Sequence, residues 1–288
     1  MKIVKALIPS AALLFFVGCG SVDHDPPELK VNDLGTVSPF DTLKVSFDKN
    51  VESFDDSTVD ASSPVTVLKV KGKTIYVAGA SDTIAGLPVF DAGVVNDSIT
   101  FKDIEDEDGN RSKAQTVKYS TYSILDNDGE SGDACVDNGT PKNAEALADS
   151  AKFFNGAKLE KGLTFAAFLS GDYNADCPDN YDYFRVYLRA YDTLFIQMTG
   201  NKVPLSVFVK GPKALDSTAQ TYQEVYEFAA TGKHPSVDTA LYISADLHGY
   251  GTNSLKEYLA YYIEVAYPSQ AVTNPAPYLL TVKRSSKK

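Results

Sequence analysis

The chain has 288 residues, 43% of them hydrophobic, with 17 Tyr, 15 Phe and no Trp; that is enough for two modest domains with cores of their own. Its net charge of −11 repels phosphate backbones and anionic headgroups, which excludes nucleic acid as a partner. Cations, neutral glycans and other proteins remain.

Lys2 and Lys5 precede an apolar run from Ala6 to Val17, which closes on Gly18-Cys19-Gly20-Ser21. A basic start, an apolar middle and a small residue before the cut make a secretory signal. The run falls short of the roughly 20 residues that a spanning helix needs. Leu13-Leu14-Phe15-Phe16-Val17-Gly18-Cys19 resembles the lipobox of bacterial lipoproteins, with Phe16 where Leu is usual. The resemblance implies cleavage after residue 18 and lipid on Cys19. With Gly20 rather than Asp next, it implies the outer membrane or cell surface of a two-membrane cell. Ordinary signal cleavage is the alternative.

Residues 19–27 read as a tether, small and polar and ending in Pro26-Pro27. Strands follow. Leu43, Val45 and Phe47 alternate with Lys44 and Ser46; residues 67–70 and 74–77 flank Lys71-Gly72-Lys73 as a hairpin; Ile99 and Phe101 alternate with Thr100 and Lys102. The acidic turn Asp106–Asn110 precedes a last strand at 116–122, and a hairpin tip explains its charge without metal. Short strands with frequent turns predict a β-sandwich over 28–122. Asp25-Pro26-Pro27-Glu28-Leu29, residues 42–51 and Asp108-Gly109-Asn110 resemble a bacterial Ig-like domain, which implies a spacer rather than a catalyst.

Residues 123–134 form an acidic linker. Asp126, Asp128, Glu130 and Asp133, with Asp137 and Asn138 beyond, offer the oxygens that a weak structural calcium would take. A solvated acidic hinge is the other reading. With Cys19 lipidated, Cys135 and Cys177 remain as a pair in an oxidising compartment, and one disulfide between them is expected. Two buried thiols are the alternative.

From 135 to 284 the alternation resumes after one or two helical turns at 143–150, and predicts a jelly-roll sandwich; 285–288 is a basic tail. Inward sets include Phe184, Val186 and Leu188, then Leu194, Ile196 and Met198, then Tyr261, Ile263 and Val265. Asp137-Asn138-Gly139-Thr140, Asp182-Tyr183-Phe184-Arg185-Val186, Ala190–Ile196 and Tyr262–Val265 resemble the bacterial pre-peptidase C-terminal (PPC) domain. That family has Gly where Tyr191 stands. The resemblance implies a module that binds extracellular polymers or calcium. Tyr181, Tyr183 and Tyr187 share a strand face; exposed, they would stack on sugars or contact a protein. Otherwise they pack beneath the 210–235 insertion.

Chemistry is scarce. His24, His234 and His248 form no His-Glu-x-x-His, and no Gly-x-Ser-x-Gly elbow is present. The expectation is therefore an all-β, non-catalytic envelope lipoprotein with no cofactor beyond a possible calcium, displaying a module for a glycan or protein ligand. A secreted hydrolase on a β-scaffold, or a structural subunit of an envelope complex, would be the alternatives.

Overall fold

The structure, a computed structural model, describes residues 23–53, 59–84, 86–125, 139, 144–147, 159–171, 179–200, 204–212, 222–229, 237–244, 258–267 and 275–286, with backbone alone along 222–229. The signal, Cys19, Cys135, Cys177 and the calcium candidates Asp126, Asp128, Glu130, Asp133, Asp137 and Asn138 lie outside the described residues.

The fold is all-β, and the period-2 pattern explains why. The first sandwich contains β1 (Asp33–Val37), β2 (Leu43–Ser46), β3 (Asp60–Ala61), β4 (Val65–Lys71), β5 (Thr74–Gly79), β6 (Asp82–Ile84), β7 (Leu87–Val89), β8 (Asp97–Phe101) and β9 (Gln115–Thr121). A sheet in the order β1-β9-β8-β3 packs on one in the order β2-β5-β4, with the β6-β7 hairpin alongside. Leu43, Val45, Phe47, Ile75, Val77, Ile99, Phe101, Val117 and Tyr119 share one buried core. A one-residue slip of β2 would turn Leu43 and Val45 to water, so burial fixes the register. The hairpin expected around residue 72 is β4–β5. It closes with Lys71 opposite Thr74, and Gly72 takes φ +54, a conformation that glycine enters without steric cost.

The second sandwich contains β10 (Glu145–Ala146), β11 (Leu163–Leu169), β12 (Tyr181–Leu188), β13 (Asp192–Thr199), β14 (Ser206–Pro212), β15 (Tyr222–Ala229), β16 (Val237–Tyr242), β17 (Leu259–Ala266) and β18 (Ala276–Ser286). Its sheets run β10-β12-β17-β14-β15 and β11-β18-β13-β16. The inward sets read from the sequence all meet in its core, from Phe184 and Leu194 to Ile263 and Leu280.

Two segments depart from the sequence reading. In the described part of 143–150 there is no helical turn: Glu145–Ala146 pairs in parallel with β12, and Leu147 N donates to Arg185 O at 2.8 Å. An extended backbone sends Ala144 to the Tyr183 and Tyr262 side and Leu147 to the core. Edge pairing satisfies backbone groups that so short a helix would leave open, and this overrides local propensity. The 210–235 insertion contributes β15, which extends the five-stranded sheet.

The sandwiches meet at a seam. Ala166 N donates to Ser123 O and Leu125 N donates to Ala166 O, both at 2.9 Å, so the first residues after β9 add to the edge of β11. Phe40 lies 5.6 Å from Phe168, in a cluster with Ile84, Val89 and Ala166. Ser38, Phe40 and Asp41 also face Gly200, Pro277 and Leu279. β9 starts at the far end of the first sandwich and finishes at this seam; β13 finishes at the seam and starts at the far end of the second. The order along the described residues is Asp23, first sandwich, seam, second sandwich, tip.

Candidate binding site

The tip is the end where β12, β16 and β18 finish and β13 and β17 begin, as the pairings Asp192–Ser286, Thr193–Tyr242 and Leu188–Leu259 show. Four tyrosines stand open there: Tyr187 is 40% exposed, Tyr191 41%, Tyr242 43% and Tyr258 44%. Full burial of an aromatic side chain stabilises a fold by about 1.5–3 kcal/mol. Four rings at one end forgo much of that.

The turn Arg189-Ala190-Tyr191-Asp192 positions them. Asp192 N donates to Arg189 O at 3.2 Å, and the buried Asp192 carboxylate accepts from Arg189 N at 3.1 Å and Arg189 Nε at 3.3 Å. Tyr191, third in the turn, has φ +71. That left-handed conformation suits Gly or Asn, and a bulky residue there costs of order 1 kcal/mol or more. Tyr191 N is nevertheless held by Ile243 O at 2.6 Å, and its ring lies 6.3 Å from that of Tyr242. A backbone conformation that favours glycine thus carries a large exposed ring.

Two guanidiniums converge on Tyr258, with Arg189 Cζ at 5.6 Å and Arg284 Cζ at 5.2 Å from its ring centre. Such contacts contribute about 0.5–1 kcal/mol at exposed sites and keep ring and cation together. Arg284 donates to Tyr187 O at 3.0 Å and pairs with Glu160.

The three tyrosines singled out in the sequence do not form one exposed row. Tyr187 belongs to the tip. Tyr181, 37% exposed, sits at the opposite end of β12 beside Ala266. Tyr183 is only 8% exposed, on Tyr262 and Ala144, and accepts from Lys210 Nζ at 3.0 Å. Lys210 also pairs with Glu264. Burial first, and the Glu264 carboxylate next, push the Tyr183 hydroxyl up to about 12. Sequence reasoning missed Arg189, Tyr191, Tyr242 and Tyr258, which lie on different strands. The available signal was a tyrosine at a glycine position.

Elsewhere, a cleft of about 460 Å³ runs beside β3 and β4, lined by Asp60, Ser63, Thr66 and apolar neighbours. Among the described lining residues Asp60 is the one carboxylate, and it is exposed. Among the described residues, no group of three or more His, Cys, Asp or Glu is placed to hold a metal ion. No helix among them is long and apolar enough to cross a membrane.

No family model matches the chain, and no curated protein sequence matches it. Among solved structures the chain is similar to PliG of Aeromonas hydrophila, a periplasmic lysozyme inhibitor of g-type lysozyme, at 15% identity and a TM-score of 0.30, over 49% of this chain and 96% of that one. A likeness of that size carries no argument about function.

Proposed function

We propose that the protein is a non-catalytic lipoprotein of the cell envelope, anchored through Cys19, whose second sandwich binds an extracellular polymer at its tip. The first sandwich acts as an Ig-like spacer and the second as a contact module of the PPC kind. One observation carries this reading: exposed tyrosines, one on a strained backbone, gather at the end of the fold remote from Asp23, the first described residue. Strain persists where surrounding structure enforces it, and such outliers cluster at ligand sites. Tyr and Arg are also the residue types that dominate contact hot spots.

The test is capture by the full chain on glycan arrays and in pull-downs from envelope material. Capture is expected to fall sharply when Tyr191 and Tyr258 are both changed to Ala. Capture that survives this change, or turnover of a captured glycan, would overturn the reading. Separately, Cys19→Ala should release the protein from membranes; a variant that still fractionates with them would remove the anchor.

A further inference from the structure

Arg189 is oriented but only half satisfied. Asp192 holds its Nε at 3.3 Å and the Tyr258 ring lies beside it, while its Nη groups make no hydrogen bond among the described residues. Its side chain is one-third exposed. A guanidinium fixed along one edge presents two parallel N–H donors on the other, the geometry that takes a carboxylate bidentately.

The surroundings favour an anion as well. The turn Leu159–Lys161 packs against the end of β18: Arg284 pairs with Glu160, and a Cβ on Gly162 would lie 3.9 Å from the Lys283 side chain. Lys161, Arg189, Lys283 and Arg284 therefore share this end with Glu160 and Asp192, an excess of two positive charges among the described residues. The whole chain carries −11. Among the described residues, then, positive charge gathers at this end. At a screening length of about 8 Å, the acidic first sandwich, beyond the roughly 26 Å length of β13, is not felt at the tip. The net charge left cations, neutral glycans and proteins as ligands; the tip departs from that average.

Resting on the reading of the tip as the binding end, we infer that its ligand is an acidic polysaccharide. A sugar carboxylate sits on the Nη edge of Arg189, which Tyr258 backs, and pyranose faces lie on Tyr191 and Tyr242. Size favours a polymer chain over a globular partner. A sandwich end four strands wide measures about 20 Å by 20 Å with its side chains, roughly half of the about 800 Å² that each side of a standard protein interface buries. Exposed planar rings with a single oriented fork suit a chain of sugars that lies across them.

Calorimetric titration of the full chain with polygalacturonate and alginate oligosaccharides, with dextran oligosaccharides as the neutral arm, tests this. Both polyuronates should bind and dextran should not, and affinity should fall between about 0.05 M and about 0.15 M salt. Arg189→Gln should weaken binding about tenfold or more. Arg189→Lys keeps a charge for Asp192, and so guards against misfolding, but lacks the fork and should not restore affinity. Equal binding of dextran and polyuronates, untouched by Arg189→Lys, would overturn the inference and leave the tip as a neutral-polymer site. Capture of an acidic globular protein through Arg189, with polyuronates ignored, would also overturn it. If no glycan or envelope component is captured at all, the proposed function falls with it.

Discussion

The two ends of the molecule use similar residues to opposite effect. At the chain start, Lys49 Nζ reaches Asp23 Oδ2 at 2.7 Å and Asp106 Oδ2 at 3.5 Å. Asp106 also accepts from Asp108 N at 3.0 Å, Asn110 N at 2.8 Å and Asn110 Nδ2 at 3.1 Å. Asn110 Nδ2 in turn holds Asp23 O, and Gln115 Nε2 holds Pro27 O. Residues read as a loose tether are therefore bound to the sandwich from Asp23 onward. At the tip, Arg189 is fixed on one edge and open on the other, four rings stand in water, and a tyrosine occupies a glycine conformation. Charge density does not separate these ends, since both are rich in it. What separates them is whether the polar groups are closed on one another.

The largest expected effect comes from breaking the joint that holds the ends apart. Phe168, buried against Phe40, should cost about 3 kcal/mol when changed to Ala. Calorimetry should then show two unfolding transitions in place of one. An unchanged single transition would mean that the seam does not couple the sandwiches.

Next comes the closed end. Burial raises the Asp106 carboxyl, but hydrogen bonds from Asn110, Asp108 and Lys49 outweigh it and hold the group below the usual carboxylate range. A depressed folded value gives stability that is present above the unfolded pKa, near 3.9, and is lost as pH falls through the folded one. Asp106→Ala should cost about 2 kcal/mol in urea titrations at pH 7, and less at pH 3. An equal loss at both values would contradict a charged anchor.

A smaller shift, of opposite sign, is expected at the open end. Tyr191→Gly relieves the left-handed strain and should leave stability unchanged or raise it by up to about 1 kcal/mol, while weakening ligand capture. Lost stability would show that the ring serves the fold instead. Smallest is the titration of Tyr183. With its hydroxyl pushed up to about 12, its stabilising share is full below the unfolded pKa near 10 and is lost between there and 12. Spectrophotometric titration of wild type against Tyr183→Phe should therefore differ only toward pH 12; an early phenolate would place Tyr183 in water.

The alternation of Leu43, Val45 and Phe47, and of Leu194, Ile196 and Met198, was enough to read both sandwiches, because a strand buried on one face must repeat every second residue. Glu145–Ala146 was misread as helical because its partner lies on β12, some forty residues on, and local propensity carries no trace of it. The tip was mostly hidden for the same reason. Tyr187, Arg189, Tyr191, Tyr242 and Tyr258 come together only through the pairings of β12, β13, β16 and β17. Tyr183 shows the converse: its spacing matches that of Tyr187, yet Lys210 and Glu264 from two other strands close over it.

Hydroxyl-radical footprinting of the full chain, alone and on intact envelope material, tests the central claim most directly. The account predicts that Tyr187, Tyr191, Tyr242 and Tyr258 lose reactivity together on the envelope, while Leu68 and Val70 on β4, exposed but remote from the tip, keep theirs. Tip tyrosines that stay reactive while β4 becomes protected would contradict it.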